Sequence, residues 1–504
     1  MNSAHLAIDL GGSSGRAILG VLDGDPKELR LEELHRFEHQ GQPTPTGPVW
    51  NLTDIWRNIL DGLRKSAKYC RENKINWVSV GVDWWGVDWA LLGESGELLS
   101  LPHCYRDPQN NDAMKRALEK LGGVEWLYQR SGIQLMAINT LFQVAARHER
   151  EPKLFDAASH LIFMPDLIHY WLSGEIAVER TIASTSSMLD VKSGDWDHEI
   201  FDRLGIPTHL LGKIVSPGEK LGAIRNELVH ETGVPENLAV VVPASHDTGS
   251  AVAAVPAEPM EDGQSWAYLS SGTWSLLGAE LQEPNTTPAA AAVPFTNELG
   301  INGTVRFLKN ITGLWMIQEL RREHNLQQPE SAEGQSAKIG FAEMMELAQA
   351  EPAFQTLVDP NFEAFLAPGN MAGKIRDYAK RTGQPEPNSL GAQVRCCLES
   401  LAICYRDTLS MMEGVLDLSF QRLHVVGGGS KNQLFNQFIA DALGYPVVCG
   451  PAEATAIGNV LIQAIGCSKV ADLNELREIV KRSFSPITFL PSDESEQWSK
   501  QTLS

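Results

Sequence analysis

Three consecutive side chains in the middle of the chain can accept or donate protons: His246, Asp247 and Thr248. They follow the apolar stretch 238–243, which predicts a strand, and Asp247 lies where this strand ends and a helix is expected to begin. A carboxylate at the carboxyl end of a strand faces the ligand-binding edge of an α/β sheet, so Asp247 is a candidate general base. A helix N-cap is the alternative role for Asp247 and Thr248, and a packed histidine is the alternative for His246.

Two turns rich in glycine and hydroxyl groups are candidates for phosphate binding. The first lies within DLGGSSGR (9–16) and the second is SSGT (270–273), and each joins two apolar runs. Backbone N–H groups of such turns can approach an anion closely, and Asp9 could hold Mg²⁺ directly or through water. Both segments predict β-hairpins, and an ordinary hairpin turn is the alternative for each. Their recurrence predicts two similar halves.

A third glycine-rich turn, 427–429, follows the strand-like run 423–426 and precedes the helical stretch Gln433–Leu443. Three glycines at this place permit adenine and its ribose to approach the backbone, and a sharp strand-to-helix turn is the alternative.

The stretch GVDWWGVDW (81–89) places tryptophans beside carboxylates. Aromatic faces can cover the C–H surface of a sugar while carboxylates bind its hydroxyls. The alternative is a β-hairpin with core aromatics, which we prefer for Trp84 and Trp89. Strand spacing over 77–83 and helical spacing over 51–70 and 393–412 predict the flanking elements.

Composition narrows the class of protein. The 504 residues predict two or more domains, and the formal charge of 42 − 63 = −21 argues against a nucleic-acid or anionic-membrane partner. The seven cysteines have no CxxC spacing, which is typical of buried thiols in a reducing compartment. We expect neither a signal peptide nor a membrane span, and hence a cytoplasmic protein. A domain boundary is expected near 250–262.

The ordered set of motifs resembles the FGGY carbohydrate kinases. It comprises DLGGSSGR (9–16), GVDWWGVDW (81–89), YRD (105–107), ASHDTGSA (244–251), SSGTWS (270–275), KNITGLW (309–315) and GGGSKNQLFNQFIAD (427–441). The resemblance covers essentially the whole chain. It implies an α/β, actin-like (ribonuclease H-like) duplicated two-domain ATPase fold with a cleft between the domains for ATP. The implied domains are residues 1–253 and 254–490, followed by a C-terminal tail, 491–504.

The resemblance also implies roles for individual residues. Those for the nucleotide are Gly12, Ser13, Ser14, Gly15 and Arg16 at the first phosphate turn, Thr273 at the second, Gln318, and Gly428 at the adenosine turn. Those for the sugar are Gly86, His246, Asp247, Thr248 and Asn310, with Asp247 as the catalytic base. ATP and Mg²⁺ are the implied cofactors, with Asp9 near the metal.

The implied reaction is ATP-dependent phosphorylation of the C1 hydroxyl of a deoxyketohexose. L-Rhamnulose, in L-rhamnose catabolism, is the expected substrate, and L-fuculose is the alternative. Trp84 stands where a smaller residue such as Thr is expected, which bears on how closely a sugar methyl group is held. We expect no nucleic-acid or membrane partner, and a monomer or a homodimer.

Two other classes of protein share some of these motifs. An actin-fold nucleotide switch would share the phosphate and adenosine turns but has no use for the Asp247 segment together with a Trp-rich pocket. A dinucleotide-binding oxidoreductase could use 427–429, but the first glycine-rich turn enters a strand where that class needs a helix.

Overall fold

The computed structural model describes residues 2–258, 260, 264–293, 295–327 and 338–503. Its strands are β1 (Ser3–Leu10), β2 (Ser14–Asp23), β3 (Glu28–Glu38), β4 (Gly41–Gln42), β5 (Val49–Trp50), β6 (Asn76–Trp84), β7 (Trp89–Leu92), β8 (His160–Phe163), β9 (Val178–Glu179), β10 (Leu189–Asp190), β11 (Asp195–Trp196), β12 (Ile214–Val215), β13 (Lys220–Ala223), β14 (Ala239–Val241), β15 (Gln264–Ser271), β16 (Trp274–Leu281), β17 (Thr296–Leu299), β18 (Val305–Thr312), β19 (Ser419–Val426), β20 (Val447–Cys449) and β21 (Ile487–Phe489).

The helices are α1 (Leu52–Glu72), α2 (Gln109–Leu121), α3 (Val124–Ser131), α4 (Thr140–Arg150), α5 (Pro152–Ala157), α6 (Met164–Ser173), α7 (Arg180–Ser184), α8 (His198–Leu204), α9 (Asn226–Thr232), α10 (Asp247–Ala253), α11 (Pro288–Ala292), α12 (Trp315–Gln327), α13 (Phe341–Gln349), α14 (Met371–Thr382), α15 (Leu390–Leu416), α16 (Gln433–Leu443), α17 (Ala454–Gly466), α18 (Leu473–Phe484) and α19 (Ser495–Trp498).

The chain divides into two compact units, each assembled from separate stretches of sequence. Unit 1 comprises Met1–Pro256, Glu280–Leu308 and Glu453–Phe484, and unit 2 comprises Ala257–Ala279, Lys309–Ala452 and Ser485–Ser504. The first break falls inside the stretch 250–262, of which residues 259, 261 and 262 lie outside the described residues. The continuous assignment of 1–253, 254–490 and 491–504 stays a prediction.

Unit 1 is built on a sheet with the strand order β13-β14-β6-β1-β2-β3. β1 is parallel to β6 and β6 to β14, whereas β1, β2 and β3 form an antiparallel meander. Every residue of β1 is buried, as expected for a strand that is covered on both faces. Helix α17 contacts β1 and β6, and α1 contacts β2 and β3. The hairpin, strand and helix predicted for this region are confirmed.

A seven-stranded sheet, whose strands β15, β19, β20 and β21 belong to unit 2, repeats this arrangement with the order β17-β18-β16-β15-β19-β20-β21. β15 pairs antiparallel with β16 and parallel with β19, β20 runs parallel to β19, and β21 runs antiparallel to β20. Strand directions therefore match those around β1, β6, β14 and β13 in the first unit. The prediction of a duplicated architecture, made from two short hairpin motifs, is confirmed.

The stretch 81–89 does not form the hairpin that was the alternative prediction for it. β6 ends at Trp84, and β7 pairs with β8 in a separate two-stranded sheet. The chain changes direction at Val87, whose φ of 73° lies in the left-handed region. The core role preferred for Trp84 and Trp89 agrees with their exposures of 0% and 9%.

The burial of the cysteines agrees with the expectation from their spacing. All seven cysteines are free thiols, and six of them are buried. Within the described ranges, no helix combines the length and the apolar character that crossing a membrane requires.

Candidate active site

The candidate catalytic residues of unit 1 gather where three parallel strands end. Asp9 near the end of β1 is the register partner of Asp83 on β6. Asp247 follows β14, the next strand in the sheet, and the 84–246 backbone bridge ties that segment to the end of β6. Electrostatic interactions of Asp9 and Asp83 with Asp247 reflect this proximity. Asp83 was not among the site residues predicted from the sequence.

Arg16 supplies the positive charge beside these carboxylates. Its guanidinium donates hydrogen bonds to Asp9 and to Glu453, the residue that precedes α17. Although burial opposes the charge, these two carboxylates raise the pKa of Arg16. Burial also raises the pKa of Asp9, while Arg16 lowers it in part. Arg16, which is expected to contact ATP, therefore already has two anionic partners within unit 1.

The first phosphate turn is open to solvent at its tip. Gly12 and Ser13 are exposed, and a Cβ on Gly12 would meet no atom within 4 Å. The Gly11 N–H donates to the Ser14 carbonyl at 3.0 Å and closes the turn. Gly15 is different, because a Cβ there would lie 2.8 Å from Leu10 Cδ2 and would collide with the Phe37 ring. Accessible amides at the tip are what an anion-binding turn needs.

Asp247 is the first residue of α10, and His246 occupies the N-cap position. Asp247 Oδ1 accepts hydrogen bonds from the Thr248 N–H at 2.6 Å and from Thr248 Oγ1 at 3.2 Å. Its side chain retains 27% of its surface exposed. Burial raises the pKa of Asp247 and the Asp9 charge adds to the rise, while His246 lowers it in part. A partly accessible carboxylate with a raised pKa suits a general base.

His246 uses its two ring nitrogens differently. Nδ1 lies 3.2 Å from both terminal nitrogens of Arg306 and 3.1 Å from Glu298 Oε2. Nε2 lies 3.5 Å from Asp247 Oδ1, and a Cβ on Gly86 would be 3.4 Å from it. The packed histidine of the alternative prediction and the expected sugar contact are thus compatible. Glu298 and Arg306, which complete this cluster, had no signal in the sequence.

Gly86 is held by the turn that follows β6. The carbonyl of Val87 accepts hydrogen bonds from Thr140 Oγ1 at 2.7 Å and from Gln143 Nε2 at 3.1 Å. These bonds stabilise a left-handed conformation that is costly for a β-branched residue. Asp88 Oδ2 accepts from both the Trp85 and Trp50 indoles, at 2.6 and 2.7 Å. The turn is therefore fixed on both sides of Gly86.

The carboxylates near Asp9 fit a divalent cation that completes its shell with other ligands. Across the described ranges, no group of three or more His, Cys, Asp and Glu residues is arranged to hold a metal by itself. Asp83 Oδ1, however, is buried without a hydrogen-bond partner, beside Asp9. Mg²⁺ usually binds through one or two carboxylates together with phosphates and water, which this donor set allows.

In unit 2 the second phosphate turn is joined to α12. Thr273 is exposed at the tip of the β15–β16 hairpin, and its hydroxyl donates to Gln318 Oε1 at 3.2 Å. The Leu314 and Trp315 N–H groups donate to the carbonyls of Gly272 and Thr273, at 3.1 and 3.2 Å. Two predicted nucleotide residues are thereby brought together. Asn310, predicted for the sugar, lies half-buried on β18 in the same unit.

The three glycines at 427–429 each meet a different requirement. Gly427 has φ of 82°, and a Cβ on Gly429 would lie 2.6 Å from the Ser271 Cβ. Gly428 is exposed, and a Cβ on it would meet no atom within 4 Å. Since β15 and β19 are parallel, this turn and Thr273 lie at the same edge of the sheet. The turn therefore joins a strand to a helix and also leaves the backbone at Gly428 open to a flat ligand, so the two alternative predictions are compatible.

Two family models match the chain along nearly its whole length. The N-terminal domain model of the FGGY family of carbohydrate kinases matches residues 4–254, and the C-terminal domain model matches residues 267–467. The chain belongs to the FGGY family of carbohydrate kinases. An FGGY kinase is a phosphotransferase that uses ATP and a small-molecule sugar.

Curated relatives and solved structures extend this result. The chain is 39% identical to a rhamnulokinase of Bacteroides thetaiotaomicron, over 98% of this chain and 97% of that protein. It is 38% identical to a rhamnulokinase of Halalkalibacterium halodurans, over 97% of this chain and 99% of that protein. The fold is similar to those of a Lactobacillus acidophilus gluconate kinase (TM-score 0.77, 15% identity) and of Plasmodium falciparum glycerol kinase with ADP (TM-score 0.74, 14% identity). Each comparison covers 99% of this chain and 96% of the other. The fold of this FGGY kinase is therefore the duplicated, two-domain actin-like fold.

Proposed function

We propose that the protein is a rhamnulokinase, which transfers the γ-phosphoryl group of ATP to O1 of L-rhamnulose and releases L-rhamnulose 1-phosphate and ADP in L-rhamnose catabolism. The observation that carries this proposal is the similarity to curated rhamnulokinases at 36–39% identity over nearly the full length of both chains. The same similarity favours L-rhamnulose over L-fuculose as the acceptor. The protein is proposed to act in the cytoplasm, as a monomer or a homodimer.

Asp247 is the proposed catalytic base. Its carboxylate accepts the proton of the C1 hydroxyl as that oxygen forms a bond to the γ-phosphorus, and the bond to the bridging oxygen of ADP breaks. A positioned base of this kind contributes about 100- to 10,000-fold to the rate. The proposed sugar contacts beside it are Gly86, His246 and Thr248, with Asn310 from unit 2.

The proposed nucleotide contacts belong to turns in both units. In unit 1 they are the amides and hydroxyls of Gly12, Ser13, Ser14 and Gly15, together with Arg16. In unit 2 they are Thr273 and Gln318 for phosphate or ribose, and Gly428 for adenosine. Exposure of the tip residues Gly12, Thr273 and Gly428 supports this assignment. Most of the catalytic effect in phosphoryl transfer comes from such positioning and charge neutralisation.

Asp9 is proposed to hold Mg²⁺, directly or through water, with Asp83 next to it. When bound, the cation neutralises charge on the phosphates. Arg16 and Asp9 form an ion pair, so each side chain holds the other in position near the end of β1.

A coupled ADP-release assay over L-rhamnulose, L-fuculose, D-xylulose, D-gluconate and glycerol tests the proposal. We expect the highest kcat/KM with L-rhamnulose and loss of most turnover in Asp247→Asn. Asp190→Asn is a matched control, since Asp190 Oδ1 likewise accepts two hydrogen bonds, in its case from the N–H groups of Lys192 and Ser193 after β10. Preference for another acceptor would overturn the substrate, and normal turnover of Asp247→Asn would overturn the base.

A further inference from the structure

A cavity in unit 1 has no role in the proposed phosphoryl transfer. The empty space, including its open mouth, measures about 420 Å³. Its walls are strand β7, the segment that precedes α2, and one face of helix α4, all within unit 1. The residues predicted for the sugar, the nucleotide and the metal are not among those that line it.

Helix α4 supplies two guanidinium groups to this cavity. Gln143, Arg147 and Arg150 all line it, and their spacing of four and three residues places them on one face of the helix. Burial lowers the pKa of Arg147, and the Arg150 charge adds to this effect, while Glu151 opposes it in part. Two like charges on one helix face repel each other, so an anion between them would stabilise both.

Both guanidinium groups keep hydrogen-bond donors for a ligand. Arg147 Nη1 donates to His103 Nε2 at 2.7 Å, and Arg147 Nη2 lies 3.1 Å from Glu151 Oε2. Arg150 is exposed, and its Nη1 donates to Gln109 Oε1, which is a neutral partner. A guanidinium has five N–H donors. Each of the two therefore retains at least three N–H donors that have no acceptor in the described part of the chain.

The carboxylate that lines the cavity already has donors of its own. Asp107 Oδ1 accepts from the Gln109 N–H at 3.0 Å, and Asp107 Oδ2 lies 3.4 Å from His103 Nδ1. Burial and the charge of Arg147 lower the pKa of His103, so this ring is neutral at neutral pH. The side chains that line the cavity thus carry two positive charges against one negative charge.

We propose that this cavity binds a phosphate group, either inorganic phosphate or the phosphate end of a small organic ester, with Arg147 and Arg150 as its donors. Arginine pairs with phosphate through parallel charge-assisted hydrogen bonds. A phosphate group has enough oxygens to accept from two guanidinium groups at once, whereas a carboxylate has only two oxygens. The site is independent of the proposed function, because it shares no residue with the proposed sugar and nucleotide contacts.

Titration calorimetry at constant ionic strength tests the site. The protein is first saturated with Mg²⁺ and a non-hydrolysable ATP analogue, which occupies the proposed phosphate turns, and is then titrated with inorganic phosphate, glycerol 3-phosphate or acetate. We expect saturable binding of phosphate, and binding of acetate that is weaker by about 10-fold, the effect of one lost charge-assisted hydrogen bond. Tighter binding of the ester would identify an organic phosphate, and tighter binding of the free ion would identify inorganic phosphate. No saturable binding of either, or equal affinity for acetate, would overturn the proposal.

Variants of exposed arginines locate the bound ion. Arg150→Gln should weaken phosphate binding about 10- to 100-fold, and its exposed position makes a folding defect unexpected. Arg116→Gln is the matched control, because Arg116 on α2 is 51% exposed, pairs with Glu149 at 2.8 Å and does not line the cavity. It should bind phosphate as the wild type does. Wild-type affinity in Arg150→Gln, or an equal loss in Arg116→Gln, would contradict the site. The titration needs no turnover, so it decides the question even if the protein proves inactive on L-rhamnulose.

Discussion

Asp9 and Asp83 face each other across the parallel strands β1 and β6, as register partners at the edge where the candidate active site lies. Burial raises the pKa of Asp83 well above its usual value, and the Asp9 charge adds to the rise. Asp83 therefore retains its proton to higher pH than an exposed aspartate. The Arg16 guanidinium, which donates to Asp9 and Glu453, compensates part of the remaining negative charge.

Arg16→Gln should destabilise unit 1 strongly. It removes the partner of a buried carboxylate, and breaking a buried ion pair costs about 3–5 kcal/mol. Arg36→Gln is the control, because Arg36 is the register partner of Arg16 on β3 but is 53% exposed and pairs with Glu33 at the surface. That change should cost about 0–1 kcal/mol. Urea unfolding of both variants measures the difference, and equal losses would contradict the buried-pair assignment.

As the pH falls, the activity should begin to decline at a higher pH than an exposed aspartate base would give. A base works only when deprotonated, and burial together with Asp9 raises the pKa of Asp247. We therefore expect kcat/KM for the sugar to decline with falling pH around a midpoint above about 3.9, the value of an exposed aspartate. The residual rate of Asp247→Asn should lack this decline. A pH profile recorded where circular dichroism shows a folded protein tests the expectation.

Asp88 should make the protein less stable as the pH rises. Its exposure is 1%, and burial raises its pKa to about 7 despite the hydrogen bonds from Trp85 and Trp50. The folded state therefore keeps a proton that the unfolded state releases above about pH 4, so the free energy of unfolding decreases from about pH 4 to about pH 7.

Relative to the wild type, Asp88→Asn should gain up to roughly 4 kcal/mol between those limits, because the amide does not titrate. Urea midpoints at pH 5 and pH 8 measure this change. Asp61→Asn on α1 is a control that removes a carboxylate with 43% exposure. Identical pH dependence in wild type and Asp88→Asn would refute the prediction.

Gly429 and Gly428 should respond differently to alanine. In Gly429→Ala the new methyl group collides with the side chain of Ser271, and such overpacking costs about 1–3 kcal/mol. In Gly428→Ala the methyl group meets no protein atom within 4 Å, so folding should be unaffected and only the KM for ATP should rise. Calorimetric unfolding and ATP kinetics separate the two effects. A normal KM for ATP in Gly428→Ala would remove it from the proposed adenosine turn.

Local pattern was sufficient to predict the parts of the fold that depend on neighbouring residues. The helix predicted at Gln433–Leu443 has those bounds in the structure, and both glycine-rich hairpins are present. In each case apolar spacing and glycine positions within about a dozen residues define the element. The left-handed turn at Val87 escaped prediction because a β-branched residue normally excludes that conformation.

Partners far apart in the chain could not be predicted. Arg16 and Glu453 are 437 residues apart, and Arg306 and His246 are 60 residues apart. A single sequence carries no signal for which strand ends meet, so an arginine in β18 looks like any other strand residue. The sequence motifs identified the candidate base and sugar contacts. The charged groups that shift the pKa values of these residues could be identified only from the sheet register.

Helix α17 completes unit 1 from a distant part of the chain. Gln463 Nε2 donates to the Leu6 carbonyl at 2.9 Å, its Oε1 accepts from Ser79 Oγ at 2.7 Å, and Asn459 donates to Asp83 at 2.5 Å. At about 5–20 residues per second, a ribosome adds these residues roughly 20–80 s after β6. During that interval the core strands of the first unit lack α17, which contacts β1 and β6. Unit 1, although most of it is synthesised first, can therefore be completed only after residues 453–484 have been added.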